Sequence, residues 1–95
     1  MIAPRAVVGI SRDDITTAIH LVAGILGTYQ DRVIVSTSEI ETRIEERSPY
    51  VYMGKSRAQK ANLLRIAMVS NGWRPWSDAK RMIRIRAWRR DGDTG

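Results

Sequence analysis

Ninety-five residues, 43% of them hydrophobic, are enough for one folded domain with a single core and too few for two. The absence of cysteine excludes disulfides and thiolate metal sites, and a lone histidine, His20, leaves no zinc ligand set. The net charge is +6, the longest apolar-rich stretch (Ala18 to Leu26) is far too short to span a bilayer, and the first ten residues lack a signal-peptide run, so the chain reads as cytoplasmic, with no membrane partner.

In chain order, residues 1–10 read as a flexible tail. Ser11-Arg12-Asp13-Asp14 has the form of a capping box and predicts a helix over Arg12 to Leu26, with Ile15, Ala18, Ile19, Val22 and Leu26 at helical spacing. Leu21, Ala23 and Ile25 widen this apolar surface, which implies burial on a second side, within the domain or in a homodimer through this first helix. His20 sits amid these apolar residues and reads as structural. The β-branched run Arg32 to Val35 reads as a strand. Ser36-Thr37-Ser38-Glu39 forms a second capping box, opening a helix that reaches Arg47 with Ile40 and Ile44 facing inward.

Ser48-Pro49 stops that helix, because proline drives the preceding residue out of helical geometry. Tyr50 to Gly54 then crosses a turn longer than a minimal helix-turn-helix needs, packed by Tyr50 and Tyr52. Ser56-Arg57-Ala58-Gln59 is a candidate third capping box, with Lys55 or Gly54 as an alternative, slightly earlier start, and the helix runs to Ser70 with Leu63, Leu64, Ala67 and Met68 toward the core. Asn71-Gly72 ends it, since both residues tolerate left-handed backbone. Trp73 to Trp76 reads as one strand and Arg81 to Arg90 as another, joined by the polar stretch 77–80. Along the last strand Ile83, Ile85 and Ala87 point one way, and Arg84, Arg86, Trp88 and Arg90 the other. The two strands make a hairpin with a basic tip, Pro75 lying on its edge side, and residues 91–95 read as a second tail.

This order, helix, strand, helix, turn, helix, hairpin, predicts an α+β domain of winged helix-turn-helix type: three helices and a small antiparallel sheet with a C-terminal wing. The charge map supports it. Residues 1–54 hold five basic and seven acidic residues, whereas residues 55–90 hold eleven basic residues against Asp78 alone. Such crowding opposes the compact state unless a polyanion neutralises it, which points to double-stranded DNA as the partner. The bland alternative is a solvated arginine-rich face.

A major groove about 12 Å wide admits a helix and exposes a distinct pattern for each base pair. The N-terminal half of the third helix is the candidate reader: Ser56, Gln59 and Asn62 on one solvent face, Arg57 for guanine or phosphate, Lys60 for backbone, with Lys55 also among the nucleic-acid-binding candidates. Arg74, Lys80, Arg81, Arg84 and Arg86 set the wing on flanking phosphates or in a minor groove. Gln59 and Asn62 read equally as ordinary solvent-facing residues. Trp73, Trp76 and Trp88 read as packing, with base stacking the alternative. No phosphate loop, nucleophile triad, cofactor motif or metal-ligand spacing is present, and Glu41 and Glu45 read as a solvated acidic face, so the chain reads as a non-enzyme. Rival readings are an interaction module docking on a replication or host protein, and RNA binding.

Val33-Ile34-Val35-Ser36-Thr37-Ser38-Glu39-Ile40, Arg65 to Trp73 and Met82 to Arg89 together resemble the C-terminal winged-helix module of phage and mobile-element replication proteins, the virulence-associated E type primase-helicases. The resemblance covers residues 30–90 and is carried by pattern. It implies a DNA-binding module of phage or mobile-element kind, acting in replication or transcriptional control.

Overall fold

A computed structural model describes residues 10–76 and 85–90. Three α-helices and a three-stranded antiparallel sheet alternate as α1 (Arg12–Leu26), β1 (Ile34–Ser36), α2 (Thr37–Arg47), α3 (Arg57–Ser70), β2 (Trp73–Trp76) and β3 (Ala87–Arg90). Single 3₁₀ turns, Gly27–Tyr29 and Pro49–Val51, follow the first two helices. The α+β class, the three helices and their limits follow from the capping pattern. In each box the serine hydroxyl accepts from the N3 amide while the N3 side chain accepts from the cap amide, at Ser11/Asp14, Ser36/Glu39 and Ser56/Gln59. Each serine is extended, so the chain turns into the helix there.

The core lies where the three helices meet the inner face of the sheet. Val22, Ile25 and Leu26 of α1, Ile40 and Ile44 of α2, Leu63, Leu64, Ala67 and Met68 of α3, and Val35, Trp73 and Trp88 of the sheet are all buried. Ile15, Ile19 and Leu21 pack partly against the same cluster, so the apolar breadth of α1 is absorbed within the domain. None of the large exposed hydrophobic residues lies on α1, and His20 faces solvent rather than the core. Ile10, assigned from sequence to a flexible tail, is buried in this core; the rest of that tail and residues 91–95 lie outside the described residues.

α1 and α3 are tied by more than packing. The Asn71 side-chain amide donates to the Ile19 carbonyl at 3.1 Å and to the Ala67 carbonyl at 2.8 Å. Of the pair expected to stop α3, Gly72 alone takes the left-handed conformation, at φ +87°, and Asn71 is spent on this bracket.

The sheet order is β1-β3-β2. Val35 pairs with Trp88 on one side of β3 and Pro75 pairs with Trp88 on the other. Trp88, expected to face outward with the arginines, is instead 1% exposed. The alternation fails because the ladder begins only at Ala87. Ile85 and Arg86 are held by α2: the Thr37 amide donates to the Arg86 carbonyl at 2.8 Å, and the Thr37 hydroxyl donates to the Ile85 carbonyl at 2.8 Å. That hydroxyl also accepts from the Trp88 indole at 3.0 Å, so Ile85 and Trp88 both turn inward, three positions apart. Residues 77–84, including the expected tip of the hairpin, lie outside the described residues.

Candidate nucleic-acid interface

Burial of Leu63, Leu64, Ala67 and Met68 turns the opposite side of α3 to solvent. Ala58, Ala61 and Arg65 form that outward ridge, with Arg57 exposed at its N-terminal end. The helix carries no acidic residue. Eight residues at 1.5 Å each place Arg57 and Arg65 about 12 Å apart along the axis. Between them stand two alanines, whose methyl groups let another surface approach the helix closely.

The outward ridge is rotated from the face expected from sequence. Ser56 and Gln59 are joined in the cap: the Gln59 amide donates to Ser56 Oγ at 3.1 Å, and Gln59 Oε1 accepts from the Ser56 amide at 2.8 Å. Bidentate pairing with adenine needs that same Oε1, so Gln59 would have to release the cap to read a base. Asn62 is half-buried on the margin of the ridge. Lys60 is half-buried as well, its Nζ 5.5 Å from the centre of the Tyr52 ring. Lys55, a candidate for binding nucleic acid, pairs with Asp14 at 3.2 Å with its side chain 10% exposed. It anchors the turn to the start of α1. Arg74 and Arg86 are exposed at the two sides of the sheet hairpin, while Lys80, Arg81 and Arg84 lie outside the described residues. Arg65 stands on this ridge although it was not among the candidates expected from sequence; its i, i+4 relation to Ala61 puts the two on one face.

This ridge forms one wall of a cleft of about 830 Å³ between α2 and α3. Arg57, Lys60 and Arg65 line one wall, Glu41 and Glu45 the other, over Tyr52, Leu64 and Trp88. The Tyr52 hydroxyl is buried beside the Glu41 carboxylate. Burial first, then the Glu41 and Glu45 carboxylates, push its phenol well above the usual tyrosine range, so it keeps its proton. The acidic wall carries the sign of a phosphate and repels one.

Three further arginines are engaged. Arg32 pairs with Glu39 and Arg43 with Glu46, each at 3.1 Å. Arg90, although inside the cationic half of the chain, is a structural clasp. Its Nη2 lies 2.8 to 3.2 Å from the carbonyl oxygens of Tyr29, Gln30 and Arg32, and its guanidinium sits 4.7 Å from the centre of the Trp73 ring. Trp73 and Trp88 are core residues, whereas Trp76 is 37% exposed. Tyr50, expected to pack the turn, is 75% exposed. Among the described residues no helix is long and apolar enough to cross a membrane.

No family model, curated protein or solved structure matches this chain, so its likeness to the replication modules rests on the sequence pattern alone.

Proposed function

We propose that the chain is a winged-helix protein that binds double-stranded DNA, with α3 laid in the major groove and the β2–β3 hairpin against the flanking backbone. The observation that carries this reading is the outward ridge of α3: two exposed arginines about 12 Å apart, small residues between them, and no acid on the helix. Arg57 and Arg65 are the principal groups, in contact with phosphate or a guanine edge; Arg74 and Arg86 extend the positive surface along the hairpin. Glu41 and Glu45 stand across the cleft from the ridge and weaken its attraction for phosphate. Regulation or replication of a mobile element is the role that the sequence resemblance adds.

Titration of a labelled random-sequence duplex at increasing salt tests the reading. Affinity is expected to fall linearly on a log–log plot, with a slope of about −0.9 per neutralised phosphate. Duplex binding that ignores salt, or none at low salt, contradicts it.

A second reading is favoured by the turn between α2 and α3, where Tyr50 and Met53 are both exposed. An exposed aromatic and an exposed methionine on one short turn suit a protein interface, such as docking on a replication or host protein. Recovery of a partner from nuclease-treated extract, lost on Tyr50→Ser with Met53→Ser, supports that reading.

A further inference from the structure

The outer face of the sheet carries a second cationic surface, distinct from the ridge of α3 and sharing only Arg74 with the proposed duplex interface. Residues directly paired across antiparallel strands project to the same side. The register therefore places two rows on the face away from Trp88: Ile34, Arg89 and Arg74 in one, Ser36, Ala87 and Trp76 in the other. Arg89 of the central strand stands directly opposite Arg74, a like-charge pairing that weakens a sheet unless an anion bridges it. Among the described residues no carboxylate pairs with either arginine. In the next row Ala87 contributes only a methyl group, so nothing bulky on the central strand covers Trp76, the one tryptophan open to solvent.

We propose that this face binds single-stranded nucleic acid, with Trp76 as a stacking platform for an unpaired base and Arg74 and Arg89 on the neighbouring phosphates. The chemistry selects the occupant. A duplex keeps the faces of its bases stacked on one another and offers an indole none of them, whereas an unpaired strand presents π-faces and phosphates in alternation. An acidic peptide would satisfy the arginines but leaves the exposed indole unexplained. Ile34, at the far side of the first row, supplies an apolar margin for a sugar or a second base.

The test uses the whole chain and the probe (dT)12, with r(U)12 as a parallel arm to separate DNA from RNA. Trp73 and Trp88 are buried, so stacking quenches emission mainly through Trp76. The expected result is quenching on titration of (dT)12, with Trp76→Leu binding about tenfold more weakly and losing the quench. Trp76→Phe, which keeps an aromatic face, recovers most of the affinity. Arg74→Gln with Arg89→Gln flattens the salt dependence by about 1.4, two phosphates at 0.7 each. Unchanged circular dichroism certifies the fold of each variant. Trp76→Leu binding (dT)12 as tightly as the parent overturns the proposal, as does failure of the parent to bind either strand at low salt. A 12-base-pair duplex keeps the two readings apart: Arg57→Gln with Arg65→Gln weakens the duplex and spares (dT)12, and Trp76→Leu does the reverse.

Discussion

Cations in the α1–α2 half and cations on α3 and the sheet are the same groups placed in different surroundings. Arg32 and Arg43 each have a carboxylate at 3.1 Å and Lys55, at the border between the halves, has Asp14 at 3.2 Å, whereas Arg12 and Arg47 have no ion pair among the described residues. Arg57, Arg65, Arg74 and Arg89 have no such partner among the described residues. Local composition accounts for the division, because α2 supplies its own acids whereas α3 has none. The comparison teaches that a count of basic residues overstates a binding surface. Lys55 and Arg90 belong to the same positive stretch of sequence, yet one anchors a turn and the other clasps three carbonyls.

The sharpest way to break this comparison is to set neighbouring arginines against each other. Arg90→Gln removes a charged donor from three carbonyls and is expected to cost about 2 kcal/mol in urea denaturation. Arg89→Gln is expected to change stability by less than about 0.5 kcal/mol. Equal losses contradict the division between clasp and surface.

The caps come next. Ser36→Ala is expected to destabilise the fold by about 1 kcal/mol, since the Glu39 amide loses its acceptor. The Glu39 carboxyl is held below its ordinary range, first by the Ser36 amide and then by Arg32; Asp14 is held down by the Ser11 amide and by Lys55. Both groups bind fewer protons folded than unfolded between their two pKa values. Their contribution is therefore present above about pH 4.5 and disappears as pH falls through the folded values. Glu39→Gln is accordingly expected to flatten the acid limb of a stability–pH curve, and an unchanged limb contradicts it.

Gly24 lies inside α1, where an added Cβ meets only the flexible end of Arg47, at 3.4 Å. Gly24→Ala is expected to raise stability by about 0.5 to 1 kcal/mol through helix propensity, read as a higher denaturation midpoint. The smallest expected effect concerns the acidic wall. Glu41→Gln with Glu45→Gln removes repulsion beside the ridge and is expected to tighten duplex binding roughly twofold to fivefold at low salt, an effect that fades as salt rises. Weaker binding contradicts the place given to these carboxylates.

The helices were legible in the sequence because their signals are local. Each capping box lies within four residues, and the buried positions of α2 and α3 recur at helical spacing. Trp88 was misread because its direction is decided by Thr37, fifty-one positions away, which grips the chain before β3 and shifts the start of its alternation. The orientation of α3 was missed for a related reason: Gln59 can cap its own helix or read a base, and the cap is intramolecular and always at hand. The pairing of Lys55 with Asp14 joins residues with no proximity in sequence, so the charge map alone could not discount it.

Whether the unpaired arginines of α3, rather than positive charge in general, hold the duplex is decided most directly by the salt dependence of two double variants. Arg57→Gln with Arg65→Gln is expected to flatten the log–log slope by about 1.8, two phosphate contacts at 0.9 each. Arg32→Gln with Arg43→Gln, which removes the same formal charge from carboxylate-bound positions, is expected to leave the slope unchanged. Equal flattening by both pairs contradicts the assignment of the interface to α3.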